Sequence, residues 1–111
     1  MGYNTGGTFI TANISANSPT SIFSITLSVG AWILLGGSRF GSVSYASLCI
    51  SQTNNTDDLN SASVIQGTGG INLQVNRYII ITSGSQTWYL VASSGGAQTL
   101  VSNSFTATRI G

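Results

Sequence analysis

The stretch at 71–93, INLQVNRYIIITSGSQTWYLVAS, constrains this chain more than any other. Tyr78-Ile79-Ile80-Ile81-Thr82 is a dense run of β-branched and aromatic residues, the type that fits a pleated, half-buried surface. Ser83-Gly84-Ser85-Gln86 interrupts it with turn chemistry, and Thr87-Trp88-Tyr89-Leu90-Val91-Ala92 resumes the apolar pattern. Two apolar runs around a short Gly-containing connection predict a β-hairpin. Neither run alternates strictly. With Ile79 and Ile81 on one face and Tyr78 and Ile80 on the other, both faces are apolar, as in a strand inside a sandwich or at a subunit contact.

The rest of the chain has the same texture. Thr8 to Ile14 predicts a first short strand, and the segment at 15–21, with the single proline Pro19, predicts a loop. From Ser24 the chain alternates cleanly, with Ile25, Leu27 and Val29 expected inward and Ser24, Thr26 and Ser28 outward. Gly30 punctuates, Ala31-Trp32-Ile33-Leu34-Leu35 begins another strand, and Gly36-Gly37 ends or bulges it. A long strand is expected from Phe40 to Ser51 through Val43, Tyr45 and Cys49, then a loop, QTNNTDDLN. A short strand at 63–66, a flexible Gly67-Thr68-Gly69-Gly70 connection, an alternating Ile71-Leu73-Val75 and a closing strand from Phe105 to Ile110 complete the pattern. Residues 1–7 predict a mobile or docking arm. The result is one all-β domain over 8–111, a sandwich or barrel of about eight short antiparallel strands with no helical periodicity.

Composition excludes several roles. Charged residues make up 5% of the chain, namely Arg39, Arg77, Arg109, Asp57 and Asp58, where a soluble domain is usually about a quarter charged. Three dispersed arginines do not match the phosphate row of a nucleic acid or form a polybasic membrane patch. The longest apolar run, Ala31 to Leu35, is far short of the roughly 20 residues of a membrane-spanning helix, and MGYNTGGTF lacks the features of a secretory signal. No nucleic-acid or membrane partner is expected.

Catalytic chemistry is also missing. Without His, Lys or Glu, no base is at hand to activate Ser or Cys49, which predicts a buried, inert thiol and no enzymatic activity. Asp57-Asp58 beside Asn54-Asn55 gathers oxygen ligands but lacks the spacing of a Ca²⁺ loop, so a structural turn is expected, with no metal and no cofactor. Arg77 falls in phase with Val75 and Ile79; a bend at Asn76-Arg77 is the expectation, the alternative being a guanidinium turned inward onto carbonyls or a partner chain. Trp32, Tyr45, Trp88 and Tyr89 could stack on sugars, but their positions within strand patterns favour packing in the core or at a subunit interface. Tyr78 and Ile80 join them as core or interface candidates.

Ser24-Ile25-Thr26-Leu27-Ser28-Val29-Gly30-Ala31-Trp32 resembles the "apolar-x-Leu-x-x-Gly-x-Trp/Tyr" stretch of trimeric jelly rolls of the complement and tumour-necrosis-factor type, also found in small virion-surface proteins of tailed bacteriophages. Gln86-Thr87-Trp88-Tyr89-Leu90-Val91-Ala92 and Phe105-Thr106-Ala107-Thr108-Arg109-Ile110-Gly111 are similar to endings of phage fibre and head-decoration domains. The resemblance spans roughly 21–111 and implies a jelly-roll sandwich assembled as a homotrimer on the capsid surface. It also implies a structural decoration, or cement, protein bound to the major capsid protein or other virion proteins. The alternative it implies is the receptor-binding tip of a fibre that recognises host carbohydrate; a secreted lectin-like module is a third reading. For a decoration protein, Tyr3 in the N-terminal arm is the expected capsid-docking residue.

Overall fold

The computed structural model describes residues 3–41, 45–58, 63–65 and 70–111. Among these the chain is all β with no helix, and its strands pair antiparallel. The strands are β1 (Tyr3–Gly6), β2 (Thr8–Phe9), β3 (Asn13–Ile14), β4 (Thr20–Phe40), β5 (Ala46–Ser51), β6 (Ser63–Ile65), β7 (Ile71–Ser94), β8 (Gln98–Thr99) and β9 (Asn103–Arg109). One sheet runs β1-β9-β4-β7-β5-β6 with β2 beside β4, while β3 and β8 form a separate two-stranded ladder.

Two strands dominate, and they overturn the hairpin predicted at 71–93. That region is a single strand, β7, of 24 residues, paired with the 21-residue β4 from Thr20↔Ala92 to Phe40↔Ile71. A straight strand of that length would extend about 80 Å, yet the longest dimension of the molecule is 41 Å. Both strands therefore fold over, and they do so together. Between the pairs Ser28↔Ser85 and Gly30↔Ile81, Val29 is unpaired on β4 and Thr82, Ser83 and Gly84 are unpaired on β7. Gly30 (φ 149°) and Gly84 (φ 68°) hold backbone conformations that side chains disfavour, which is why glycine stands at both. The turn residues in the sequence mark a bulge that bends a continuous ladder.

The bulge reverses the inward phase. Before it, Ile25 and Leu27 are buried; after it, Trp32, Leu34 and Phe40 are. Val29, expected inward, sits at the flip and is 45% exposed. On β7 the buried set changes from Leu73, Val75, Ile79 and Ile81 to Trp88, Leu90 and Ala92. The two halves of the ladder then face each other, with the Leu90 side chain lying over Gly36. The architecture is consistent with a β-sandwich, its core filled by Trp32, Leu34, Phe40, Leu48, Ile50, Ile81 and Leu90.

Other expectations shift at the edges. Tyr3–Gly6, expected as part of a mobile or docking arm, pairs with β9 from Tyr3↔Arg109 to Gly6↔Thr106. Backbone pairing to an open sheet edge needs no large apolar side chain, which is why composition did not reveal it. The predicted first strand divides into β2, beside β4, and β3, beside β8. The long strand expected from Phe40 stops there and resumes as β5; Val43 lies outside the described residues, as do Met1, Gly2 and most of the Gly67-to-Gly70 connection.

Candidate functional site

The inner chemistry gathers where β7 passes the end of β5. Arg77 lies inward in phase with Val75 and Ile79, correcting the expected bend. Its Nη1 donates to the Ile50 carbonyl at 3.1 Å and pairs with Asp58 Oδ2, both side chains being 24% exposed. Its guanidinium carbon stands 4.9 Å from the centroid of Trp88, whose Nε1 donates to Gln86 Oε1 at 3.2 Å. Desolvation is offset because carboxylate, carbonyl and ring face share one cation. Asp58 is thus more than a turn former; it neutralises Arg77.

The same loop closes over Cys49. The Asp58 N–H donates to Cys49 Sγ at 3.3 Å, and the thiol donates to Asp57 Oδ1 at 3.5 Å. Burial pushes the thiol up to about 12; the Asp58 N–H opposes this and the Asp57 carboxylate adds to it. A thiol held protonated is a poor nucleophile. Asn55, at φ 55°, fastens the loop to β4: its Oδ1 accepts from the Ser21 N–H and its own N–H donates to Ser21 Oγ, both at 2.8 Å. This cluster ties a loop to the sheet.

The aromatic candidates separate. Trp32 and Trp88 are buried, Trp32 with Nε1 donating to the Ser28 carbonyl at 3.0 Å, while Tyr45 and Tyr89 are half-buried. Tyr78 and Ile80 point to solvent, 57% and 60% exposed. Cross-strand register sets Tyr78 opposite Ile33 and Ile80 opposite Ala31, with Leu35 two positions further along β4. Ile33, Leu35, Tyr78 and Ile80 form an apolar area on the outer face of the β9-β4-β7 sheet, bordered by Thr106 and Thr108. Trp32 and Trp88 instead sit in the core, so the six candidates do not form one surface. The capsid-docking candidate, Tyr3, pairs through its backbone with Arg109 at the sheet edge.

Along the same outer face the chemistry turns polar. Gly37 is opposite Gln74 on β7 and Ser104 on β9, so the central strand has no side chain between two walls that do. A trough results, with two adjoining hollows of about 320 and 460 Å³. Asn72, Gln74 and Asn76 form one wall, Ser102, Ser104 and Thr106 the other, with Arg39 at one end and Leu35 at the other. The sequence signal was the Gly36-Gly37 pair. Glycine inside a strand often marks a close approach, and the two residues divide the work: Gly36 receives Leu90 inside, Gly37 opens the trough outside.

Among the described residues, no group of three or more His, Cys, Asp or Glu could hold a metal ion, and no helix is long and apolar enough to cross a membrane. The chain matches no protein-family model and no curated protein sequence.

Proposed function

We propose that this protein is a structural subunit of a virion, a jelly-roll sandwich that assembles as a homotrimer and decorates the capsid of a tailed bacteriophage. The supporting observation is the outer face of the β9-β4-β7 sheet. It exposes Ile33, Leu35, Tyr78 and Ile80 together, with no charged side chain among them. Charge depletion and aromatic enrichment characterise the cores of subunit interfaces. An uncharged face can meet copies of itself without like-charge repulsion. The sequence resemblance contributes the three-fold symmetry and the virion setting. The β1 edge, with Tyr3, is the proposed point of attachment to the major capsid protein.

The test is mass in solution. Sedimentation should give three times the 11.4 kDa chain mass. The double substitution Tyr78→Lys/Ile80→Lys should give a folded monomer, because surface changes usually alter fold stability by no more than about 0.5 kcal/mol. A wild-type chain that stays monomeric, together with binding to particles at sites lacking three-fold symmetry, would refute the proposal.

A further inference from the structure

We infer that the trough over Gly37 is a saccharide-binding site, and that the sugar it takes carries a carboxylate directed at Arg39. The walls present amides from Asn72, Gln74 and Asn76 and hydroxyls from Ser102, Ser104 and Thr106. Amides and hydroxyls can both donate and accept, which matches the mixed demands of a polyol, although Asn72 Oδ1 already accepts from Arg39. The lining is too polar for an apolar ligand, since such sites are built predominantly from hydrophobic and aromatic side chains. Its single guanidinium is too little charge for a polyphosphate.

The floor over Gly37 is narrow and takes one substituent of a sugar, with the ring above it between the walls. At Gly37 the outward space is bounded by Ser104 Oγ, the Leu73 carbonyl and Gln74 Cγ, at 3.4, 3.7 and 3.8 Å from where a Cβ would stand. From Leu35 to Arg39 the central strand runs roughly 13 Å, longer than one pyranose ring, so linked sugars fit along it. Leu35 offers an apolar contact for ring C–H groups at one end.

Arg39 supplies the selectivity. Its Nη1 donates to the neutral Asn72 Oδ1 at 3.3 Å, and the guanidinium lies over Gly70, where a Cβ would come within 2.7 Å of Nη2. Asp58 is engaged by Arg77 instead. A carboxylate reaching the exposed end of the trough would meet a planar donor fork able to bind it through two parallel hydrogen bonds. The trough shares Leu35 and Thr106 with the edge of the proposed subunit contact, while its Arg39 end lies away from it.

The experiment uses the intact chain on a glycan array bearing sialylated, glucuronate- and galacturonate-terminated and neutral glycans. Acid-bearing glycans should be retained. The variant Gly37→Thr puts its Cβ at ordinary contact distance and its branch atoms into the trough, so it should keep its thermal melt and lose at least about tenfold in affinity, the equivalent of 1.4 kcal/mol. Asn72→Ala/Gln74→Ala, which strips one wall and leaves the floor untouched, should lose binding likewise. Arg39→Gln should abolish the preference for acidic over neutral glycans. No glycan retained above the Gly37→Thr level would overturn the site. Equal retention by wild type and Arg39→Gln, with neutral glycans preferred, would overturn the assignment of the carboxylate.

Discussion

Arg77 shows how a single residue can be read in two ways until its surroundings are known. Its phase on β7 directs it inward, and a lone buried cation would be costly. The cost is met by Asp58, by the Ile50 carbonyl and by Trp88, none of them near it in sequence. Substituting Arg77→Met leaves Asp58 partly buried without its cation, and should cost about 2 kcal/mol in urea unfolding, between exposed and fully buried pairs. Asp58→Asn should recover part of that loss in the double variant. Strictly additive effects would mean that the pair contributes nothing. Cys49 makes a separate prediction through pH. Its folded pKa, about 12, stands above the reference value of 9.0. The native state therefore holds a proton that the unfolded chain releases, and stability is fully present below pH 9 and declines as pH rises toward 12. Cys49→Ala should flatten the slope in that window, as read by urea midpoints.

At the scale of the element, β4 and β7 owe their shape to the shared bulge. Nothing lies within 4 Å of where a Cβ would stand on Gly84, so a substitution there acts through the backbone alone. Gly84→Ala at φ 68° should cost about 1 kcal/mol, while Gly84→Asn should cost less because Asn tolerates the left-handed region. Gly30 differs. A Cβ would meet Arg109 Nε at 2.7 Å as well as the strained φ of 149°, so Gly30→Ala should destabilise more than Gly84→Ala. Equal effects in urea unfolding would show that the Arg109 side chain simply moves away.

At the scale of the whole molecule, the sandwich closes where β4 meets β7 across the core. Leu90 occupies the space a side chain would need at Gly36. Gly36→Ala should therefore overpack the core and cost about 1–3 kcal/mol in unfolding. Leu90→Val should relieve part of that cost when the two substitutions are combined, whereas Leu90→Val alone should destabilise. A Gly36→Ala chain as stable as wild type would mean that the two halves are not held in contact at this point. The outer face of the same sheet divides into an apolar end at Ile33, Leu35, Tyr78 and Ile80 and a polar end around Gly37. One layer thus offers both the proposed subunit contact and the proposed sugar site.

Local chemistry determined the all-β class and most strand positions, because β-branched runs and period-two alternation depend on neighbours in the chain. It also marked Cys49 for burial and singled out Gly30, Gly36-Gly37 and 83–86 as interruptions. What each interruption does was decided by tertiary structure. A glycine that ends a strand and one that bends it carry the same local preference, and only the partner strand shows that pairing continues past it. The same holds for exposure: Trp88 and Tyr78 both lie in apolar runs, yet Trp88 meets Arg77 in the core and Tyr78 faces solvent. Which face of a strand is covered depends on the segment folded over it, and here that segment is the other half of the same ladder.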